Sequence, residues 1–272
     1  MNTRSPMPNW LATIILGIVE GLTEFLPISS TGHLLLFEQW LPYQTELFNT
    51  VIQSGAVVAV LIVFSGRLRA LVVHWREMES RKYWMKLAAA FVITGIGGVA
   101  LKKFGWRLPE SAAPVAWATL IGGLFILAIE RGREAPVGRE DITWQVAVAV
   151  GLAQLLAGVF PGTSRSGATI LIAVAMGAAR PAAVEFSFLL GIPTIFAASA
   201  LEIGLKLQRE EAGGEVGSWP MVLLGTVTAG VTAFIVVKWV LRFVQTHTFS
   251  AFGWYRIVLG GALIAWEAVR GD

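Results

Sequence analysis

Long apolar stretches alternate with short polar segments along the 272-residue chain. A helix that crosses a membrane needs about 20 apolar residues. Six stretches meet or approach this length: 47–64, 84–101, 112–130, 184–204, 219–243 and 250–268. The pattern therefore predicts six transmembrane helices.

Two further apolar segments, 11–41 and 144–177, are each interrupted by a proline and a run of polar residues. The pieces on either side of each interruption are short for a full crossing. A broken helix at membrane depth is tolerated only against protein or a water-filled cavity, so each segment is predicted to be a re-entrant hairpin, helix–loop–helix. The predicted fold is an all-α integral membrane protein with six transmembrane helices plus two re-entrant helical hairpins.

The two interrupted segments look like copies of each other, because Pro27 and Pro161 are 134 residues apart, close to half of the chain. Each half is one hairpin followed by three helices, an odd number, so the second half starts on the opposite side of the membrane. This is the inverted-topology repeat of many transporters, in which the broken helices meet near the midplane. We predict a single membrane domain, 1–272, with inverted repeats at about 8–130 and 144–268.

Composition excludes several classes of protein. Charged residues make up 14% of the chain and hydrophobic residues 55%, whereas a soluble domain carries about 25% charged residues. This deficit of charge excludes an ordinary soluble enzyme. The lack of cysteine excludes disulfides and thiolate chemistry. The net charge of +3 lies in loops without interleaved aromatic residues, so no nucleic-acid partner is expected.

The distribution of basic residues along the chain predicts the orientation in the membrane. Seven are on the side of the N-terminus: Arg4, Lys102, Lys103, Arg107, Lys206, Arg209 and Arg270. Twelve are on the opposite side, many in a predicted loop at 65–83: Arg67, Arg69, Arg76, Arg81, Lys82, Lys86, Arg131, Arg133, Arg139, Arg180, Lys238 and Arg242. Because cytoplasmic loops carry the excess of Lys and Arg, both termini and the opening of the first hairpin are predicted to face outward.

Glu20 and Glu24 are four residues apart and share one face of a helix. Two neighbouring carboxylates in a low-dielectric environment repel each other, so they need a cation, a shared proton or a water-filled pocket. We predict that they bind a divalent cation, Mg²⁺ or Ca²⁺, whose coordination is completed by substrate phosphate. The alternative is that the pair lies near the outer surface and is simply hydrated.

A polar run from Ser29 to His33 follows the first proline. Hydroxyls and free backbone N–H groups at the start of a helix bind phosphate oxygens, so Ser29 and Thr31 are predicted to bind substrate. His33 lies three residues after Ser30, within reach of its hydroxyl. The predicted nucleophile is Ser30 with His33 as its proton partner, or a water activated near Glu24 and His33. The run also fits a helix N-cap.

The second polar run places Arg165 among hydroxyl side chains. A guanidinium is a planar fork that suits phosphate and stays charged at membrane depth, so Arg165 is predicted to act in catalysis; the alternative is a structural ion pair with Glu20 or Glu24. The hydroxyl residues around it are predicted to bind substrate: Thr163, Ser164, Ser166 and Thr169. Arg256 is also predicted to bind substrate, with extension to the membrane interface as the alternative.

Ionisable groups at membrane depth are costly and are therefore functional candidates. Carboxylates, an imidazole and a guanidinium together indicate a phosphate site inside the membrane. Gln53 and Glu185 are further polar residues within apolar helices and are candidates of the same kind.

Two motifs carry a resemblance to a known family: Glu20-Gly-Leu-Thr-Glu-Phe-Leu-Pro-Ile-Ser-Ser-Thr-Gly-His33 and Pro161-Gly-Thr-Ser-Arg-Ser-Gly-Ala-Thr169. They resemble the two signatures of the undecaprenyl pyrophosphate phosphatase family, the bacitracin-resistance membrane phosphatases. The segment 185–193 and the pair Tyr255-Arg256 also fit its pattern, and the resemblance runs the whole length of the chain.

The resemblance implies an enzyme of the bacterial inner (cytoplasmic) membrane that hydrolyses undecaprenyl pyrophosphate to the monophosphate. That step recycles the lipid carrier for cell-wall synthesis. The resemblance also implies a requirement for a divalent cation and a fold of interdigitated inverted repeats.

Two functions fit these observations. One is an integral membrane phosphatase that holds a polyprenyl pyrophosphate between the two hairpin tips, with the lipid tail along the helices. The other is a transporter or flippase for a phosphorylated lipid or anion, because broken helices in inverted repeats are a transporter architecture and fold alone does not give function. The paired acids favour hydrolysis, since an anion carrier gains little from two glutamates. A homodimer is compatible with both.

Overall fold

The computed structural model describes residues 7–38, 40–41, 45–104, 112–133, 138–211 and 219–270. Within these residues the chain forms eleven helices: α1 (Asn9–Thr23), α2 (Ser30–Phe37), α3 (Glu46–Val63), α4 (Ser65–Val73), α5 (Met78–Lys103), α6 (Ala112–Glu130), α7 (Trp144–Val159), α8 (Arg165–Ala175), α9 (Arg180–Glu211), α10 (Trp219–Phe243) and α11 (Ser250–Arg270). The described part of the chain contains no strand, only an isolated bridge between Arg139 and Ala178. The all-α fold predicted from the sequence is confirmed.

The helix ends follow the apolar pattern closely where the apolar block has sharp limits. α6 and α10 begin and end at the predicted residues, whereas α5 and α9 continue past the apolar block into charged segments. The prediction of a loop over 65–83 is wrong, because α4 occupies Ser65–Val73 and α5 begins at Met78. α4 is short and carries Arg67 and Arg69, so it lacks the long apolar run from which a membrane helix is predicted.

Four helical stretches among the described residues are long and apolar enough to cross a membrane: Met78–Leu101, Ala113–Glu130, Arg180–Gln208 and Trp219–Phe243. A fifth crossing results if Leu47–Val63 and Ser65–Val73, which are bent by 65° at their junction, are counted as one. The predicted helix at 250–268 is present as α11, but it is not among these candidates. The chain is thus a multi-pass membrane protein with four or five candidate crossings, and the division into six transmembrane helices and two re-entrant hairpins stays a prediction.

Helices from the first half of the chain pack mainly against helices from the second half. α10 packs along both α1 and α3, α11 packs along α6, and α7 packs along α5. The two halves therefore interlock instead of forming separate units. Their inverted orientation stays a prediction.

The contact between α1 and α10 depends on glycine. A Cβ on Gly21 would lie 2.5 Å from the carbonyl oxygen of Ala229 and 2.7 Å from the Cβ of Thr232. Small residues allow helices in membranes to approach closely and to pack through van der Waals contacts. This close packing fixes the end of α1, where Glu20 and Glu24 lie.

Candidate active site

The two interrupted segments have the same local structure. α2 begins at Ser30 and α8 begins at Arg165. The residue before each is a serine with positive φ, 73° for Ser29 and 70° for Ser164. Each serine Oγ accepts a hydrogen bond from the backbone N–H three residues later, at 3.3 Å and 3.0 Å. The N-cap interpretation of the first polar run is therefore confirmed, and the second run has the same cap. Each cap helps to offset the cost of an unusual backbone conformation.

The structural equivalence is shifted by one residue from the offset seen in the sequence. Ser29 and Ser164 are 135 residues apart, whereas Pro27 and Pro161 are 134 residues apart. The second loop therefore has one residue more than the first. With this shift Ser30, the first residue of α2, corresponds to Arg165, the first residue of α8.

The two motifs are in direct contact. The single hydroxyl proton of Ser166 is shared between two carbonyl oxygens of the first motif, since its Oγ lies 3.0 Å from that of Glu24 and 2.9 Å from that of Leu26. The Oγ of Ser164 also donates to the Leu26 carbonyl oxygen, at 3.4 Å. The expectation that the two interruptions meet is confirmed, while their depth in a membrane stays a prediction.

The Glu24 carboxylate connects the two motifs. The Oγ of Ser30 donates a hydrogen bond to Glu24 Oε2 at 2.6 Å, and Nη2 of Arg165 donates to Glu24 Oε1 at 2.9 Å. The side chains of Glu24 and Arg165 are 5% and 16% exposed. Arg165 thus forms the ion pair that the sequence left open as an alternative. Its other terminal nitrogen, Nη1, is buried without a hydrogen-bond partner, so half of the guanidinium fork is left for another anion.

Glu20 is fully buried, and neither of its carboxylate oxygens has a hydrogen-bond partner. The suggestion that the acidic pair is hydrated at the outer surface is wrong, because Glu20 is 0% and Glu24 6% exposed. Their charges are close enough to interact. A buried carboxylate without a partner is unfavourable, and carboxylate oxygens are ligands that hard divalent cations prefer.

The two carboxylates are ligands of the type that a divalent cation needs, and the cation itself stays a prediction. No group of three or more His, Cys, Asp or Glu residues that could hold a metal occurs in the described ranges. Two protein carboxylates leave coordination positions for phosphate oxygens and water, which is common for Mg²⁺ in phosphoryl-transfer sites.

His33 has partners other than the predicted one. Its Nδ1 lies 2.6 Å from the carbonyl oxygen of Ser29, and its Nε2 lies 2.6 Å from the hydroxyl of Tyr255. Both ring nitrogens are occupied, and the Ser30 hydroxyl donates to Glu24 instead. The hydrogen-bond partner of Ser30 in the structure is therefore Glu24 and not His33, while a role of His33 in proton transfer stays a prediction.

Arg256 also differs from its prediction. It is 1% exposed, so extension to the membrane interface is excluded. A guanidinium has five N–H donors, and those of Arg256 point to five backbone carbonyl oxygens at 2.9–3.1 Å: Thr119, Pro27, Thr163, Ala118 and Gly162. None is left for a substrate, so the side chain instead fastens both loops to α6 and α11.

A cavity of about 160 Å³ lies beside Glu24, at the junction of the two motifs. Its lining includes Ser29, Ser30 and Thr31 from the first motif and Ser164 and Arg165 from the second. The helices around it contribute Gln53, Ala157, Thr194, Ile195 and Ala198, and the second loop contributes Pro161 and Gly162. The cavity is therefore polar on the side of the motifs and partly apolar on the side of the helices.

Besides Arg256, three residues that were predicted to bind substrate do not line this cavity. Thr169 Oγ1 donates to the Arg165 carbonyl oxygen at 2.8 Å and is 2.5 Å from Ser187 Oγ. Ser166 is fully buried and donates to the first loop. Thr163 contributes its carbonyl oxygen to Arg256. These contacts hold the second motif in place, and none of the three residues forms part of the cavity wall.

The two further polar candidates within apolar helices, Gln53 and Glu185, lie in different parts of the structure. Gln53, an isolated amide in an apolar helix, lies at the cavity wall, whereas Glu185 bonds to Arg67 at 2.8 Å and to Tyr83 at 3.1 Å outside this cavity. Tyr255 was not predicted as a site residue. The signals for it in the sequence were a hydroxyl next to Arg256 on an apolar helix and the fit of the pair Tyr255-Arg256 to the family pattern.

The fold and the site define a multi-pass membrane protein with a buried serine, glutamate and arginine at the junction of two broken-helix motifs. The chain belongs to the family described as Bacitracin resistance protein BacA, which it matches over residues 13–262. It is 48% identical to the undecaprenyl-diphosphatase of Rhizobium etli (strain CIAT 652) over 258 residues, which cover 94% of this chain and 96% of that protein.

Similar relatives occur in other bacteria. The undecaprenyl-diphosphatase of Xanthomonas oryzae pv. oryzae (strain PXO99A) is 48% identical over 261 residues, 96% of this chain and 98% of that protein. The undecaprenyl-diphosphatase of Rhizobium johnstonii (strain DSM 114642 / LMG 32736 / 3841) is 48% identical over 262 residues, again 96% and 98%. The similarity therefore includes both polar motifs and the helices that surround them.

Proposed function

We propose that this chain is an undecaprenyl-diphosphatase, which hydrolyses undecaprenyl pyrophosphate to undecaprenyl phosphate and inorganic phosphate. Membership of the BacA family and the names of its relatives support this activity. The observation that carries the proposal is that Ser30 and Arg165, from separate motifs, both donate to Glu24 beside one cavity. The reaction recycles the lipid carrier of cell-wall synthesis.

The first chemical step is phosphoryl transfer to Ser30. Its Oγ forms a bond to the terminal phosphorus, the bond from that phosphorus to the bridging oxygen breaks, and the electron pair leaves with undecaprenyl phosphate. Glu24 Oε2, at 2.6 Å from the hydroxyl oxygen, takes the proton. A carboxylate is a suitable base here because the two atoms are already hydrogen-bonded before substrate arrives.

The second step returns the enzyme to its starting state. Water attacks the phosphorus of the phosphoserine, and the bond between that phosphorus and Ser30 Oγ breaks. Ser30 takes back the proton held by Glu24, and inorganic phosphate leaves. A water that attacks the lipid pyrophosphate directly, activated by Glu24, is the alternative first step.

Arg165 stabilises the charge of the transferring phosphoryl group. Its Nη2 is held by Glu24, and its unpartnered Nη1 is the donor available to phosphate oxygens. The backbone N–H groups at the starts of α2 and α8 add further donors near the cavity. Phosphoryl transfer depends mainly on positioning and electrostatic stabilisation of this kind. Ser29, Thr31 and Ser164 add hydroxyl contacts at the cavity wall.

Glu20 and Glu24 are the residues that would hold a divalent cation, Mg²⁺ or Ca²⁺. Such an ion would neutralise and orient the pyrophosphate when bound. The support on the protein side is the Glu20 carboxylate, which is buried and has no hydrogen-bond partner.

The membrane arrangement proposed for this enzyme is six transmembrane helices plus two re-entrant hairpins in an inverted repeat. The matching geometry at Ser29 and Ser164 supports a repeat, and the distribution of Lys and Arg supports termini and a cavity opening on the outer side of the bacterial cytoplasmic membrane. A homodimer remains part of the proposal.

Phosphate release by purified protein in detergent tests the function, because no second compartment exists there for transport. We expect inorganic phosphate from undecaprenyl pyrophosphate, and none from Ser30→Ala protein. Ser54→Ala is the matched control, since the Ser54 Oγ donates only to the Val51 carbonyl oxygen within α3. Purified protein that moves the lipid between leaflets of a vesicle and releases no phosphate would support the transporter alternative.

A further inference from the structure

Tyr255 makes a contact with the site that neither polar motif accounts for. It lies on α11, and its hydroxyl is 2.6 Å from Nε2 of His33, 222 residues away in the chain. The two rings are nearly parallel, with an interplanar angle of 4° and centroids 5.7 Å apart. Tyr255 is 45% exposed, so it contributes less to burial than the aromatic residues of the core.

The direction of the hydrogen bonds follows from the chemistry of the partners. A carbonyl oxygen can only accept, so His33 Nδ1, at 2.6 Å from the Ser29 carbonyl oxygen, carries a proton. In the neutral ring Nε2 then has a free lone pair and accepts from the Tyr255 hydroxyl. The Ser29 carbonyl oxygen thus sets the tautomer of His33, and Tyr255 donates to the free Nε2 and holds the orientation of the ring.

The Ser29 carbonyl belongs to the peptide group that precedes Ser30. Ser29 has a φ of 73°, a conformation that is unfavourable for such a residue unless its surroundings hold it. Its carbonyl oxygen accepts from the backbone N–H of His33, at 3.3 Å, as well as from the ring. The orientation of this peptide sets where the Ser30 hydroxyl points.

We infer that Tyr255 is a positioning residue for the phosphatase reaction. It acts through His33 and the Ser29 carbonyl to keep the Ser30 hydroxyl directed at Glu24. The inference rests on the proposed role of Ser30 as the nucleophile. Arg256, the next residue, fastens Pro27 and Gly162 through their carbonyl oxygens, so one turn of α11 holds both loops of the site.

The kinetic test is Tyr255→Phe, which removes the hydroxyl and keeps the ring and its packing. We expect kcat to fall about three- to tenfold, the factor that one neutral hydrogen bond supplies. KM should stay within about twofold, because the hydroxyl does not contact substrate. Tyr83→Phe is the matched control, since it removes a tyrosine hydroxyl bonded to Glu185 at 3.1 Å. Its kcat should equal that of the wild type.

The spectroscopic test follows the His33 ring by ¹⁵N NMR of protein labelled at histidine. The chain has three histidines, and His74→Gln and His247→Gln variants assign the signals. In wild-type protein the His33 ring should show a protonated Nδ1 and an unprotonated Nε2. In Tyr255→Phe protein Nδ1 should stay protonated, because the Ser29 carbonyl oxygen still needs a donor, and the Nε2 resonance should shift because the hydroxyl donor is lost.

The results separate the inference from the proposed function. Wild-type kcat in Tyr255→Phe protein overturns the inference, as does a lower kcat with the Nε2 resonance of His33 unchanged. A rise in KM alone also overturns it, because it indicates direct contact with substrate, and a lower Tm with unchanged kcat indicates packing only. If wild-type protein releases no phosphate, the proposed function fails, yet the NMR spectra still decide whether Tyr255 sets the state of His33.

Discussion

Ser30 and Arg165 are equivalent residues of two matching helices, and each donates a hydrogen bond to a different oxygen of Glu24. Each follows a serine N-cap with positive φ and is the first residue of its helix. The two donors are 2.6 Å and 2.9 Å from the carboxylate. One acidic side chain thus sets the relative position of a hydroxyl and a guanidinium that lie 135 residues apart.

Ser30→Ala should abolish turnover, because it removes the atom that forms the bond to phosphorus. We expect kcat to fall by about a thousandfold or more, as for other removed nucleophiles. Wild-type protein denatured during turnover of substrate with ³²P in the terminal phosphate should keep label on the peptide that contains Ser30. Substantial activity in the alanine variant would instead favour direct attack by water.

Arg165→Lys should lower kcat about ten- to a hundredfold, the range expected for losing a hydrogen bond to a charged group. Lysine keeps the charge but cannot bind Glu24 and phosphate with two fixed parallel donors. Arg67→Lys is the control, because Arg67 pairs with Glu185 on a side chain that is 44% exposed. Near-wild-type phosphate release by the Arg165 variant would show that a point charge is sufficient.

Chelation of divalent cations should stop turnover, and added Mg²⁺ or Ca²⁺ should restore it. Glu20→Gln should raise the cation concentration needed for half-maximal activity at least about tenfold, a cost found even for groups that only support metal ligands. Calorimetric titration with the cation checks binding without turnover. Glu79→Gln, at an 84% exposed side chain, is the control. Normal turnover after chelation would point to a shared proton between Glu20 and Glu24.

Gly21→Ala should lower Tm in detergent, because the new methyl group would lie 2.5 Å from the Ala229 carbonyl oxygen and force α1 from α10. Overpacking of this kind costs about 1–3 kcal/mol. Turnover should fall as well, since Glu20 and Glu24 lie on the displaced end of α1. Gly95→Ala is the control: no atom lies within 4 Å of its added Cβ, and alanine favours the helix. Equal Tm values for the two variants would contradict the proposed role of close packing.

The sequence predicted the helices better than it predicted the hydrogen-bond partners of the site residues. α6 and α10 have the predicted ends because uniform apolar blocks are bounded by polar residues. The meeting of the two motifs was predictable because an isolated buried Arg165 needs an anion and the Glu20–Glu24 pair needs a cation. α4 was missed because apolar length identifies membrane crossings and gives no signal for a short helix with two arginines.

The hydrogen-bond partners of a side chain depend on the direction in which it points, and the pattern of apolar and polar residues does not contain this direction. His33 is close to Ser30 in sequence, and this proximity favoured a bond that the structure does not have. Its ring turns back to the Ser29 carbonyl and out to Tyr255. Arg256 was expected to meet phosphate because a buried cation needs an anion, yet carbonyl oxygens from three parts of the chain satisfy all of its donors.

The position of Tyr255 and Arg256 on α11 has a consequence for biosynthesis. Both loops of the site lie on segments that leave the ribosome long before α11 does. The carbonyl oxygens of Pro27 and Gly162 therefore have no donor until Arg256, 229 and 94 residues further along, has been synthesised. A nascent chain that has inserted its acids, its serines and Arg165 therefore still lacks the residues that hold them in place. Turnover should begin only once α11 has entered the membrane, so translation itself delays the activity until the scaffold is assembled.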